Sequence, residues 1–212
     1  MNPIDILSGV MIKVLVFFGV MCGGQYGLAI ILLTVAVNLA LYPLTLQSSV
    51  QMAAMAKVQP KMKALQDKHK DDPTTMQKEI MALYKNEKIN PLGGCLPMLL
   101  KIPFFIALFF ALQSPEFKAL VLQPGVVNSF LWMNNLTLPD PTYVMVTLIG
   151  VSTFLSQKLM PGSDNPQTKT MNQIMPFMIA FISLPFPAGV QIYWTASNLF
   201  GALHQYIINK RL

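Results

Sequence analysis

Charge is scarce in this 212-residue chain: Asp, Glu, Lys and Arg together make up 11%, where a soluble domain carries about 25%. Carboxylates are the scarcest, 9 against 15 lysines and arginines, and none lies in the long apolar segments. Proton-coupled carriers depend on intramembrane carboxylates or histidines, so this absence, with His204 only near the end of the last apolar segment, counts against a secondary transporter. The 2 cysteines, Cys22 and Cys95, exclude a disulfide framework. There is no HExxH, no pair of intramembrane aspartates and no Gly-x-Ser-x-Gly, and His69 falls in a charged segment. An intramembrane hydrolase therefore lacks its chemistry. Gly93-Gly94-Cys95 has neither the lysine nor the length of a phosphate-binding loop. The expectation is a protein that is not an enzyme, with no cofactor and no metal. A signal peptide fits poorly because the first positive charge is Lys13, and Val20-Met21-Cys22 is a weak match to a lipoprotein cleavage site for the same reason.

Apolar sequence is what the chain has in quantity. Hydrophobic residues make up 53% and the mean hydropathy is +0.50, more apolar surface than a soluble fold of this size would cover. The bilayer is the better solvent. The net charge of +6 sits in loops between apolar segments, so the basic residues face anionic lipid headgroups and not nucleic acid.

Segment lengths set the expected topology. The apolar run from Val10 to Leu46 is broken only by Lys13 and Gly23-Gly24-Gln25. A span needs about 20 residues, so the run is too long for one and too short for two. It predicts an amphipathic helix lying in the interface over 3–21, anchored by Asp5 and Lys13, a glycine corner, and span 1 over 26–45. Tyr42-Pro43-Leu44-Thr45 marks the change to soluble character. Residues 46–90 read as a cytoplasmic helical hairpin, with Met52, Met55, Met62 and Leu65 interleaved with lysines at helical spacing. Its turn is Asp71-Asp72-Pro73, with Asp72 as N-cap and Pro73 at the first helical position. The second helix runs to about Lys88. Its methionines, Met76 and Met81 included, are either pliable contacts for varied partners or ordinary packing.

Asn90-Pro91-Leu92-Gly93-Gly94-Cys95 then turns abruptly back to apolar sequence. Further spans are expected at 92–112, 143–159, 171–185 and 188–208. The second and third are separated by a loop containing Pro115, Pro124, Pro139 and Pro141; a short polar connector covers 161–170. Pro185-Phe186-Pro187-Ala188-Gly189 divides the last two. The expected fold is an all-α polytopic membrane protein with five transmembrane helices, an N-terminal interfacial amphipathic helix and a cytoplasmic helical hairpin, its termini on opposite sides. Lysines 57, 61, 63, 68, 70, 78, 85 and 88 lie in the hairpin, and Lys158, Lys169, Lys210 and Arg211 fall on the same side, against Lys118 alone opposite. Excess Lys and Arg mark the cytoplasmic face, which places the hairpin and the C-terminus inside.

A few polar residues sit in the spans. Lys101 lies near ten residues into span 2, about 12–15 Å below the cytoplasmic edge at 1.5 Å per residue. A lysine at mid-bilayer costs about 2.5–3.5 kcal/mol, so it faces a water-filled cavity unless it snorkels to the headgroups. Thr34, Asn38, Tyr42 and Thr45 form one stripe on span 1, with Asn38 near the depth of Lys101. They form either a shared hydrophilic pocket or interhelical hydrogen bonds. Gln191, Trp194, Asn198 and Gln205 share a face of span 5. Tyr193 and Trp194 also suit an outer aromatic belt, and Gln157 and Lys158 suit interfacial anchoring.

Several of these stretches carry a resemblance. Tyr42-Pro43-Leu44-Thr45, Gln59-Pro60-Lys61, Met81-Ala82-Leu83-Tyr84-Lys85 and Asn90-Pro91-Leu92-Gly93-Gly94-Cys95-Leu96-Pro97 are similar to motifs of the YidC family of membrane protein insertases. So are Ile102-Pro103-Phe104-Phe105, Gln157-Lys158 and Tyr193-Trp194-Thr195-Ala196-Ser197-Asn198. The match runs in order along nearly the whole chain, without the large extracytoplasmic domain or long basic tail of some relatives. It implies a single insertase membrane domain over 1–212 in a bacterial plasma (inner) membrane. It also implies a hydrophilic groove open to the cytoplasm and to lipid, and a mobile hairpin that helps recruit nascent chains. Implied partners are nascent membrane proteins and the lipid bilayer, with the Sec translocon and the ribosome as candidates and no direct contact to nucleic acid. The expected groove residues, taken from the polar positions in the spans, are Lys101, Asn38, Thr34, Tyr42, Gln157, Gln191, Tyr193, Trp194 and Asn198. Family members carry an arginine where this chain has Asn38, and a polar uncharged residue where it has Lys101. The expectation is that the groove's cation has moved from span 1 to span 2 at similar depth. The competing class is a small secondary transporter or channel, which solute flux through vesicles would reveal.

Overall fold

Helix breaks in this protein fall where the backbone requires them. The computed structural model describes residues 3–90, 96–161 and 166–210. Helix α1 spans Pro3–Met21 and α2 Tyr26–Ala40, joined through Gly23 and Gly24 with φ of 61° and 85°. A β-carbon at Gly24 would lie 2.3 Å from the Gly125 carbonyl oxygen, so both conformation and space require glycine there. Helix α3 spans Tyr42–Lys68, and its axis bends 61° from α2 at Leu41. Pro43 in the first turn of α3 has no N–H to give and crowds the residue before it. The helical break thus precedes the expected end of span 1 by four residues, because helix geometry does not register the hydropathy change at Leu46.

Helix α4 spans Pro73–Asn86, and the expected cap is in place: the Asp72 carboxylate accepts from Thr75 N at 3.1 Å, with Pro73 in the first turn. Helices α3 and α4 pair through Tyr84 Oη donating to Met62 Sδ at 2.9 Å and through the Lys61–Glu87 ion pair. The Pro91-Leu92-Gly93-Gly94-Cys95 hinge and Arg211 lie outside the described residues. Helix α5 spans Leu96–Gln113. A short helix α6, Pro115–Leu120, follows within the proline-bearing loop, with Ser114 Oγ accepting from Phe117 N at 3.1 Å. Helix α7 spans Val144–Leu159, α8 Pro166–Ser183 and α9 Ala188–Asn209. Helix α8 begins within the expected 161–170 connector. Among the described residues the regular secondary structure is all helical, with the isolated bridges Gln25–Val127 and Phe130–Met133 in the connecting segments.

Helix α1 packs on α2 and α5, α9 packs on α2, α5 and α7, and α8 packs on α7. Leu15, Ile30, Leu33, Leu108, Leu112, Phe117 and Val190 fill the shared core. Helix α1 turns Met11 and Leu15 inward and leaves Ile6, Val10, Phe17 and Val20 exposed. Among the described residues, α1 is the one helix long and apolar enough by itself to cross a membrane, over Ile4–Met21; α2 and α3 qualify only as a bent pair. Shorter apolar helices run over Lys101–Gln113, Val144–Leu159 and Asn172–Ser183.

The loop 121–143 seals one end of the bundle. Val127 N donates to Gly24 O at 2.9 Å, while Ala188 N and Gly189 N donate to Leu138 O and Leu136 O at 2.7 and 2.9 Å. These contacts tie the start of α2 to the start of α9. The α3–α4 hairpin leaves from the other end of α2, so the seal and the hairpin lie at opposite ends.

Candidate functional site

Four helices bring residues together at the hairpin end of the bundle. Asn38 and Thr34 project from α2, Tyr42 and Thr45 from the first turn of α3, Lys101 from α5, and Gly201 and His204 from α9. Asn38, Tyr42, Thr45, Lys101, Phe200, Gly201 and His204 line a notch of about 190 Å³, its open mouth included. Its enclosed part is only about 10 Å³, room for about one water molecule, so a side chain from outside enters only as the walls move apart.

Asn38 is 4% exposed and fixed on two sides, its Nδ2 donating to Thr34 O at 2.8 Å and to Ser197 Oγ at 3.3 Å. Thr34 is fully buried and donates back to Ile30 O at 2.7 Å, so its hydroxyl is already engaged. Thr45 likewise donates to Leu41 O at 2.9 Å. The Tyr42 ring stands edge-on to the His204 imidazole, centroids 4.7 Å apart.

Lys101 Nζ lies 4.0 Å from where a β-carbon at Gly201 would sit, and Ser156 Oγ of α7 lies 3.9 Å from the same point. The ammonium therefore points at α9, into the bundle. Ion pairs among the described residues are Lys61–Glu87 and Lys70–Asp67, both in the hairpin; none neutralises Lys101. A cation without an ionic partner, held away from bulk water, attracts an anion more strongly than it would in water.

The other expected groove residues divide into two places. Asn198 faces α7, its Nδ2 donating to Thr153 Oγ1 at 2.9 Å and Ser152 Oγ at 3.3 Å. Gln157 is also buried on α7, with Oε1 lacking a partner. Gln191, Tyr193 and Trp194 lie near the sealed end. Gln191 Nε2 donates to Ser183 O at 2.9 Å and pins the α8–α9 turn. Tyr193 is buried without a partner for its hydroxyl. Trp194 stands edge-on to Phe105 and stacks on Phe186, with centroids at 4.8 and 6.2 Å. The structure thus joins Lys101, Asn38 and Tyr42, places Thr34 one turn deeper, and sets the remaining five apart from them. Sequence reasoning missed Phe200, Gly201 and His204 as notch residues. The available signal was Ser197, Gly201 and His204 at i, i+4 and i+7, a second polar face of α9 beside the one through Asn198. Among the described residues no cluster of His, Cys, Asp and Glu suits a metal ion.

The family model of the 60Kd inner membrane protein matches residues 17–212. The chain belongs to the YidC family of membrane protein insertases. A membrane protein insertase YidC of Fusobacterium nucleatum subsp. nucleatum is 40% identical over 191 residues, covering 89% of this chain and 88% of that protein. A second, from Francisella philomiragia subsp. philomiragia, is 39% identical over 188 residues, covering 88% of this chain and 33% of the relative. The chain thus spans about a third of the Francisella protein and most of the Fusobacterium one. A crystal structure described as an active YidC insertase with its first transmembrane domain resolved superposes with a TM-score of 0.78. It covers 97% of this chain and 47% of that one at 24% identity, a likeness that shows the fold. As a member of this family, the chain is a membrane protein.

Proposed function

We propose that this protein inserts nascent membrane proteins into the bacterial plasma membrane. It does so by passing their short hydrophilic tails through a groove open to the cytoplasm and releasing their spans into lipid. Five spans, α2 with the first turn of α3, α5, α7, α8 and α9, form the conduit. Helix α1 lies in the far interface, and the hairpin and C-terminus face the cytoplasm. At 1.5 Å per residue, helices of 15 to 22 residues reach about 22–33 Å, which matches or falls short of a hydrocarbon core of about 30 Å.

The observation that carries this reading is the inward Lys101 ammonium, unpaired among the described residues and level with Asn38 in a notch at the hairpin end. A cation held there draws water and an acidic group of the client below the headgroups, which shortens the apolar barrier the tail must cross. Burial of the client's own span supplies the driving force, about 25 cal/mol per Å² of apolar area. Clients leave sideways, so the protein acts on polypeptides as a chaperone of insertion and forms no covalent intermediate with them. The insertase names of the relatives support the insertion of membrane proteins as the function.

The test is reconstitution of the purified chain in lipid vesicles with a single-span client bearing a short acidic tail. Protease protection of the tail without leakage of small solutes supports insertion. Solute flux without tail protection identifies a transporter or channel instead.

A further inference from the structure

His204 has a place in the notch that packing does not explain. Its side chain is 6% exposed and its Nε2 has no hydrogen-bond partner. Leaving a buried polar group unmade costs about 1–3 kcal/mol, and such groups in native folds call for a reason. A histidine kept for the core alone would be expected to meet a carbonyl or hydroxyl. Here it lines the same recess as Lys101, with the partly exposed Tyr42 ring packed against it.

We infer that His204 is a specificity-determining residue, reading a client's carboxylate jointly with Lys101; this rests on the insertase reading above. A carboxylate offers two acceptor oxygens and no donor. The Lys101 ammonium, a point charge, takes one oxygen, and an imidazole N–H at Nε2 takes the other and adds direction. A carboxamide in the same place offers one carbonyl oxygen to the first donor and turns its NH₂ towards the second, leaving that donor unmet. Sites built on such paired polar groups reject the neutral isostere strongly. Nε2 is covered in this conformation, so the client side chain reaches it as the Tyr42 ring turns outward. The notch then selects tails carrying Asp or Glu over tails carrying Asn or Gln.

The experiment uses the full chain in lipid vesicles with two clients that differ only by Glu or Gln at one position of the translocated tail. The readout is the Glu-to-Gln ratio of protease-protected tail, which a general loss of folding does not move. His204→Phe keeps the ring packing against Tyr42 and removes the nitrogen; the ratio is expected to fall about tenfold, as for one hydrogen bond to a charged group. His204→Gln restores an N–H donor and is expected to recover part of the ratio. Equal losses for both clients, or an unchanged ratio in His204→Phe, overturn the role of His204. If Lys101→Ala lowers the ratio while His204→Phe does not, the notch reading stands without this inference. If neither variant moves the ratio, both fall.

Discussion

The Lys101 ammonium and the bare backbone of Gly201 face each other, with 4.0 Å between Nζ and the β-carbon position that Gly201 leaves empty. A larger residue at 201 would occupy the space in front of the cation. Gly201→Leu is therefore expected to lower client insertion at least tenfold with the helical fold retained. Gly201→Ala, whose added carbon meets Ser156 and Lys101 at ordinary contact distances, is expected to lower it far less. Protease protection in vesicles, with melting followed by circular dichroism, separates the two effects.

Asp140 organises the sealed end. Its carboxylate is 3% exposed and accepts from Thr142 Oγ1 at 2.7 Å, Met145 N at 2.8 Å, Thr142 N at 3.0 Å and Trp132 Nε1 at 3.3 Å. Removing it strands buried donors, so Asp140→Ala is expected to cost about 2–4 kcal/mol of stability, measured by denaturation in detergent. Burial alone would raise the carboxyl's pKa, but the hydrogen bonds from Met145, Thr142 and Trp132 together hold it below the usual value. A carboxyl depressed on folding stabilises above its unfolded pKa, and that contribution is lost as pH falls through the folded one. The loop is expected to loosen on acidification only below the ordinary carboxylate range, and Asp140→Asn is expected to abolish that step.

In the hairpin, Asp72 holds the start of α4. Its pKa is lowered, chiefly by the Thr75 hydrogen bond, so the cap persists through neutral and mildly acid pH and is lost as pH falls through the lowered value. Asp72→Ala is expected to speed amide exchange at Thr75 and Met76 while leaving α7 and α9 unchanged, as hydrogen-exchange mass spectrometry would show.

Two helical glycines give opposite outcomes. A β-carbon at Gly27 would lie 2.3 Å from the Phe130 ring, whereas one at Gly9 meets nothing within 4 Å. Gly27→Ala is expected to destabilise by about 1–3 kcal/mol through overpacking. Gly9→Ala is expected to be neutral or to stabilise by up to about 1 kcal/mol from helix propensity. Melting temperatures of the two variants check this.

Local backbone chemistry was the part of the fold most legible in the sequence. Asp72-Pro73, Gly23-Gly24 and Pro185–Gly189 each break the chain as their residue types require. Hydropathy was a poorer guide to helix ends, since α3 runs from Tyr42 through the apolar-to-basic change and α8 starts at Pro166 in polar sequence. Ser114-Pro115-Glu116 carried a capping signal for α6 that was hidden among loop prolines. In the notch, Lys101 and Asn38 stood out because polar side chains in an apolar run are costly. Gly201 did not, since its contribution is the absence of atoms, and His204 fell too near the end of its span to count among the intramembrane polar residues.

The most direct measurement is acidic-tail insertion by three forms: the wild type, Lys101→Gln, and the double variant Asn38→Arg, Lys101→Gln. If the groove's cation has moved from α2 to α5, Lys101→Gln loses insertion and the double variant regains it by restoring positive charge from the other wall. Wild-type insertion by Lys101→Gln alone would contradict the proposed role of that charge.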